Sequence, residues 1–353
     1  MSSPNPITNK FYILEFIRSL AAIYVLIYHI QQKLNFGPVF SLFFSFGQES
    51  VMIFFVLSGF VIYYSVETKK VPVTIINYFK ARFFRIYPTF VLACLLAYSC
   101  QSIIAGHFII FPVNSFIENI CMLQDFSTGK PGTWVQPFMG NTPLWSLSYE
   151  WWFYILFIPV YFFINKSKQY IAVITLSSLG FITYLIMPNQ ISIWTSYFIL
   201  WWMGVEASKK YLMDKENEKI MDFKKIIIVI VGYVLILIIY TFFYEKNHII
   251  HFGLFPIILI RHYVMALLFA FFLRVYDVRK INISKSNILV RFAPYTYALY
   301  VFHYPVLQLF ESKKWLSSYW GIPLLILFII SLCYLAENII QKNIVKWSAY
   351  KVD

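Results

Sequence analysis

The sequence predicts an all-α integral membrane protein with about ten transmembrane helices and both termini in the cytoplasm. The 353 residues are 60% hydrophobic, 21% aromatic and only 13% charged. A soluble protein of this length cannot bury that much apolar surface. The apolar runs also lack the two-residue alternation of a transmembrane barrel, so helices are expected. We expect a single multi-pass domain over residues 1–353 with no additional soluble domain.

The apolar segments were compared with the roughly 20 residues that a helix needs to cross a bilayer. The predicted spans are residues 11–31, 41–66, 83–105, 146–165, 170–187, 191–207, 224–243, 254–274, 294–311 and 319–340. The fifth and sixth are joined only by MPNQ, which predicts a tight helical hairpin. Residues 106–145, on the outer side, either shape a site or form a passive connection.

Lysine and arginine are distributed unevenly between the two sides that these spans define. With the N-terminus inside, 22 of the 29 Lys and Arg residues lie in cytoplasmic segments or at the cytoplasmic ends of spans, 5 in outer segments, and two, Arg18 and Arg261, deeper within spans. Basic residues concentrate in cytoplasmic loops, so this distribution predicts that both termini are inside. It also accounts for the net charge of +13, and no nucleic-acid partner is expected.

The first span contains EFIRSLAAIYVLIYHI, an apolar stretch with three ionisable side chains. A charge at mid-bilayer costs about 2.5–3.5 kcal/mol, so such groups usually face a protein interior or a water cavity. Glu15 and Arg18 are three residues apart and share a helix face, where they either only stabilise each other or belong to a site. Arg18 and His29 are eleven apart, which brings the helix back to within about 20° of the same direction. Histidine is the natural general base near neutral pH, although an interfacial His is often only packed.

Charged side chains also open the third and fourth spans. YFKARFFRIYP places Lys80, Arg82 and Arg85 at the cytoplasmic start of the third helix. They either anchor the helix to lipid phosphates or clamp a phosphorylated ligand, which Arg binds through bidentate hydrogen bonds. NTPLWSLSYEWWFYILFIP opens the fourth helix on the outer side. Its Glu150 either caps the helix, or orients His29 or an acceptor hydroxyl.

One further histidine lies inside a predicted span. PYTYALYVFHYPV places His303 near mid-membrane, where it is either a core residue or part of a site. The four cysteines have neither pairing nor metal-ligand spacing, and no metal site is expected.

Five of these segments, taken in order, resemble motifs of acyltransferase family 3, the membrane O-acetyltransferases of bacterial surface polysaccharides. EFIRSLAAIYVLIYHI is similar to the first-helix motif and FFVLSGFVI to the second-helix signature. RFFRIYP resembles the Arg-x-x-Arg element, LWSLSYEWWFY the Trp-Ser-Leu-x-x-Glu segment, and LYVFHYPV the late His-containing segment. The resemblance covers residues 11 to about 340. Glu15 stands where Asp is more usual, and Ser19 where Gly is common.

The resemblance implies that an acyl-CoA, by default acetyl-CoA, is the co-substrate and that no cofactor is permanently bound. It implies a carbohydrate hydroxyl as acceptor, on a lipid-linked or surface glycan such as an O-antigen or exopolysaccharide. The expected location is the bacterial cytoplasmic membrane, in contact with its lipids.

The same resemblance assigns roles to residues of this chain. The expected site comprises catalytic His29, Glu150 and Arg18, donor-binding Arg82, Arg85, Lys80 and Arg18, and the further candidates Glu15, His303, Trp145 and Ser146. His29 would take the proton of the attacking hydroxyl or carry the acyl group itself. Glu150 would position His29 or the acceptor.

Two other functions remain open from the sequence. A transporter or flippase for a lipid-linked sugar or small anion would use the same ionisable residues to line a path. Many transporters have Gly- or Pro-interrupted helices at corresponding positions of two halves, and the sequence does not show such a pair. A structural subunit of the cell envelope would tolerate loss of Arg18 and His29. A CoA-dependent acylation assay separates the enzyme from both.

Overall fold

The computed structural model describes residues 12–34, 36–212, 221–246, 248–275, 281 and 283–344. Within these residues every extended regular element is helical. The helices are α1 (Tyr12–Leu34), α2 (Pro38–Phe43), α3 (Gly47–Glu67), α4 (Ile75–Ala105), α5 (Val113–Ile120), α6 (Trp145–Phe163), α7 (Gln169–Ile186), α8 (Gln190–Leu212), α9 (Met221–Tyr244), α10 (Ile257–Val275), α11 (Ile288–Phe292), α12 (Thr296–Ser312) and α13 (Gly321–Tyr334), with a π-helical segment Leu335–Gln341 after α13. Some basic residues behind the predicted orientation, among them Lys10, Lys215 and Arg279, lie outside the described residues.

The helical prediction is confirmed, and the chain is a multi-pass membrane protein by the length and apolarity of its helices. Six helical stretches of the described chain are long and apolar enough to cross a membrane: Tyr12–Leu34, Pro38–Glu67, Ile75–Ala105, Gln169–Ile186, Lys224–Tyr244 and Gly321–Ile344. A shorter apolar helix covers Ile257–Leu273. The number of ten spans and the cytoplasmic termini stay predictions.

The remaining predicted spans coincide with α6, α8, α10 and α12, and three of these are largely enclosed by protein. In α8, Trp201 and Trp202 are fully buried, as are Tyr149 and Phe153 in α6. A helix that contacts other helices rather than lipid can carry polar side chains on most of its faces. The enclosed helices can therefore carry polar side chains on more than one face.

Helix α4 begins earlier than the predicted span, which was expected to start at residue 83. Thr74 is the N-cap, and its side chain accepts a hydrogen bond from the backbone NH of Asn77 at 3.2 Å. Such an N-cap favours a helix start at this position. The predicted span began later because it was chosen for apolar residues, and the residues just after the cap include polar and charged ones. The cluster of Lys80, Arg82 and Arg85 thus lies well inside α4 rather than at its opening.

Helices α3 and α8 approach closely because each presents a glycine to the other. A Cβ atom on Gly59 would lie 2.0 Å from the carbonyl oxygen of Trp201, and one on Gly204 would lie 1.9 Å from that of Val56. Neither position can hold a larger residue without separating the helices, as is common where membrane helices pack. This contact fixes the α3 wall of the site described below.

The two ends of the bundle are distinguished by the segments that connect the helices there. We call the end with the α3–α4 connection, residues 68–74, the basic end, and the end with residues 106–144 the loop end. At the basic end Glu67 accepts a hydrogen bond from Lys166 at 2.7 Å, which joins α3 to the α6–α7 turn. At the loop end Lys33 pairs with Glu311 at 2.7 Å. The basic end is the one that the charge distribution predicts to be cytoplasmic.

Candidate active site

A cavity of about 850 Å³ lies between α1, α3, α4, α6 and α12. At the basic end its lining includes the exposed side chains of Lys69 and Lys80. Along α3 the lining runs from Val51 to Ile62, which is about 16 Å at the helical rise. The cavity therefore reaches from the basic end deep into the bundle.

Three arginines line the cavity, and they differ in their partners. Arg18 comes from α1, and Arg82 and Arg85 come from α4. Arg85 donates from Nη1 to Glu337 Oε2 at 2.7 Å. Among the described residues, neither Arg18 nor Arg82 has an ion pair or a hydrogen bond, and the Nε of Arg82 is buried. Two guanidinium groups that line a cavity without a hydrogen-bonded protein partner suit an anionic ligand, since Arg binds such ligands through charge-assisted hydrogen bonds.

Glu150 lies on the cavity wall and is held by neutral partners. Its Oε1 accepts a hydrogen bond from the Ser58 hydroxyl at 2.9 Å and another from the Tyr154 hydroxyl, one turn along α6. The structure brings Glu150 into the same cavity as Arg18, but it forms no hydrogen bond with His29 among the described contacts. The carboxylate is thus placed to accept a hydrogen bond from a ligand in the cavity.

Ser146 and Tyr300 form the polar wall at the far end of the cavity. The Tyr300 hydroxyl lies 2.8 Å from the carbonyl oxygen of Pro143 and 2.7 Å from Ser146 Oγ. Because a carbonyl only accepts, the tyrosine donates to Pro143 and accepts from Ser146. Both side chains are thereby fixed relative to the start of α6.

Two histidines lie behind Tyr300. The His303 ring is 6.1 Å from the Tyr300 ring and 5.2 Å from the His29 ring, measured between centroids. His303 Nδ1 is 3.0 Å from the carbonyl oxygen of Leu299 and must donate to it, so Nε2 carries the lone pair. That Nε2 is buried without a hydrogen-bond partner in the described chain. His29 Nδ1 is 3.1 Å from Gln32 Oε1; in this orientation of the amide the imidazole donates to it, and in the neutral ring Nε2 is then the proton acceptor.

The other predicted site residues lie elsewhere. Among the described residues the cavity lining includes neither His29 nor His303. The His303 ring lies next to the Tyr300 ring, and the His29 ring lies next to His303. Glu15 is half-buried and, in the described chain, neither lines the cavity nor forms a salt bridge with Arg18, which faces the cavity. Trp145 is directed away from the cavity and stacks on His262, with 5.9 Å between ring centroids.

Trp145 belongs to a separate buried network at the loop end. Asp125 accepts hydrogen bonds from Lys130 at 2.9 Å, Tyr149 at 2.6 Å and Gln190 at 3.2 Å. The Lys130 ammonium also lies 3.8 Å from the Trp145 ring centroid. Burial lowers the pKa of Lys130, and the adjacent carboxylate opposes this shift. The segment after α5 is therefore locked into the bundle and is not a loose connection.

Several residues in the cavity wall, and one behind it, were missed by the sequence argument. Ser58, Tyr154 and Tyr300 are uncharged, and only their position inside motif segments marked them. Glu337 could have been found, because it is an acidic residue in the last predicted span and meets the criterion that selected Glu15. Lys69 entered the sequence argument only as one of the basic residues that predict which ends of the helices are cytoplasmic.

The chain was compared with known proteins. The model of the acyltransferase domain of acyltransferase family 3 matches residues 11–337. No curated protein and no solved structure matches the chain. The matched region contains every residue that lines the cavity except Gln341, which follows it in the chain. Taken with the multi-pass helical fold, the match over most of the chain means that the protein belongs to acyltransferase family 3.

Proposed function

We propose that the protein is a membrane O-acyltransferase that moves an acetyl group from cytoplasmic acetyl-CoA to a hydroxyl of a lipid-linked or cell-surface carbohydrate, in the bacterial cytoplasmic membrane. The observation that carries the proposal is the cavity itself. It joins basic side chains at one end to Glu150, Ser146 and Tyr300 at the other.

The donor enters from the basic end. Lys69 and Lys80 at the mouth, and Arg82 and Arg85 further in, are suited to the phosphates of CoA, since Arg offers a planar fork of donors and Lys a point charge. A volume of about 850 Å³ is within the range of small-molecule sites. The narrow pantetheine arm would then follow the α3 wall and carry the thioester toward Glu150.

The acceptor hydroxyl comes from the loop end, where His29 is half-buried between Tyr28 and Tyr304. The hydroxyl oxygen bonds to the thioester carbon, the carbon–sulfur bond breaks, and His29 Nε2 takes the hydroxyl proton and returns it to the departing thiolate. In the alternative, His29 first carries the acetyl group. The Tyr300 and His303 side chains lie between the cavity and His29. Both routes therefore require these two side chains to move aside when the acceptor and the thioester react.

The test uses purified protein in nanodiscs. Acetyl-CoA consumption is measured for the wild type, for His29→Ala and for His107→Ala, a control at an exposed loop histidine. Glycan acetylation in the expressing cells is followed by mass spectrometry. We expect activity in the wild type and in the control, and a loss of about 100-fold or more in folded His29→Ala.

Other outcomes have defined meanings. Full activity of His29→Ala would show that the proposed proton path is wrong and would make His303 or Glu150 the next candidate. A wild type that neither binds nor consumes an acyl-CoA would favour the transport function. Rapid-quench mass spectrometry of the intact protein, in search of an acetylated His29, separates the two routes for the acyl group.

A further inference from the structure

Arg85 is held by a carboxylate from the end of the chain. Its Nη1 donates to Glu337 Oε2 at 2.7 Å, and its guanidinium carbon lies 5.4 Å from the centroid of the Tyr297 ring. The Arg85 side chain is 40% exposed and lines the cavity, whereas the Glu337 side chain is only 8% exposed. One edge of the guanidinium is therefore fixed, while the rest faces the cavity.

Among the described hydrogen bonds and ion pairs, Glu337 reaches the cavity lining through Arg85. It is not part of the lining in the described chain, its Oε2 is bonded to Arg85, and its Oε1 is buried without a hydrogen-bond partner. A buried carboxylate is costly unless it is paired. Glu337 lies in the π-helical segment Leu335–Gln341, and π-helical turns are frequent at functional sites.

The π-helical segment has its own attachments beside the ion pair. Gln341 donates to the carbonyl oxygen of Phe84 at 2.7 Å, next to Arg85, and also lines the cavity. Asn338 donates to the Tyr295 hydroxyl at 2.7 Å. These bonds should keep the segment docked when Glu337 is replaced, so an effect of replacing it can be assigned to Arg85.

We propose that Glu337 is a positioning residue for Arg85: it holds one edge of the guanidinium so that the other edge binds a phosphate group of the donor. The inference rests on the proposed function, because it takes the ligand of the cavity to be phosphorylated. Arg carries five NH donors in a planar fork, and fixing the fork in advance reduces the entropy lost on binding. Glu337 should thus act on donor affinity and leave the chemical step unchanged.

The test measures binding of phosphoadenosine diphosphate, the nucleotide half of CoA, to the full-length protein by calorimetry. We expect Glu337→Ala to weaken binding about tenfold, the scale of one charge-assisted hydrogen bond. Glu337→Gln, which keeps an oxygen that accepts from Arg85, should lose less. Glu311→Ala, which removes the exposed partner of Lys33 at the loop end, is the matched control and should bind normally.

A double-mutant cycle assigns the effect to Arg85. Arg85→Gln combined with Glu337→Ala should bind no more weakly than Arg85→Gln alone. In turnover, Glu337→Ala should raise KM for acetyl-CoA and leave kcat and the KM for phosphate-free acetyl-pantetheine unchanged. If Glu337→Ala does not fold, Glu337→Gln carries both measurements.

Three results would overturn the inference. Tighter binding by Glu337→Ala would mean that the carboxylate competes with the ligand, and additive losses in the cycle would mean that it does not act through Arg85. Failure of the wild type to bind the nucleotide would also refute it. A wild type that binds the nucleotide with the expected Glu337 dependence but transfers no acetyl group would refute the proposed function and leave this inference standing.

Discussion

The cavity and the buried network at the loop end use similar side chains and differ in how completely these are paired. In the network, the Lys130 ammonium donates to Asp125 and to Tyr149, and both oxygens of the Asp125 carboxylate accept hydrogen bonds. In the cavity, neither Arg18 nor Arg82 forms a hydrogen bond or an ion pair within the described part of the chain. Because unpaired buried polar groups are costly, a saturated cluster indicates a structural role, and unpaired cations beside a cavity indicate a ligand.

The largest expected effect is on the stability of the network. Lys130→Met should lower the free energy of unfolding by about 3–5 kcal/mol, because it leaves the Asp125 carboxylate buried without its cation. Chemical unfolding in detergent measures the change. Lys33→Met, which removes a partly exposed ion pair, is the control and should cost at most about 1 kcal/mol. Equal losses of stability in the two variants would show that the buried network stabilises the protein no more than an exposed ion pair does.

The next effect is on catalysis at the cavity. Glu150→Gln keeps the size of the side chain and an oxygen for Ser58 and Tyr154, but removes the charge that faces the cavity. We expect kcat to fall about 100-fold with little change in thermal stability. Steady-state acetyl-CoA turnover measures it, and the melting temperature is the control. A loss of stability with normal kcat would show that Glu150 stabilises the fold and does not take part in the reaction.

The smallest effect tests the wall between the cavity and the histidines. Tyr300→Phe removes the hydrogen bonds to Pro143 and Ser146 and leaves the ring contact with His303. The loss of such bonds costs about 0.5–1.5 kcal/mol, so we expect a change in turnover of at most about tenfold. A loss as large as that of Glu150→Gln would instead give the Tyr300 hydroxyl a part in the reaction.

Charged residues inside apolar segments were the most informative sequence signal. That signal selected Arg18, Arg82, Arg85 and Glu150, and the fold brings all four to one cavity. The reason is physical, because a charge within a span must face protein or water and a bundle has few such places. The same signal applied to Glu337 would have found the partner of Arg85.

The neighbours that Arg18 and His29 contact were beyond the reach of the sequence. Their spacing places them on one face of α1, but about 16 Å apart along its axis. At that separation they contact different neighbours, and so Arg18 lines the cavity whereas His29 lies against His303. Uncharged partners such as Ser58 gave no composition signal, and only the packing of α3 on α6 identifies them.

The central claim is that the unpaired cations of the cavity bind the acyl-CoA donor, and Arg82 tests it most directly. CoA is titrated into the wild type and Arg82→Gln in nanodiscs, and the melting temperature of each is measured in the absence of CoA. We predict that Arg82→Gln keeps its melting temperature to within about 2 °C and binds CoA about tenfold more weakly. Unchanged CoA affinity together with a marked loss of thermal stability would contradict the account, because Arg82 would then be a structural residue like Lys130.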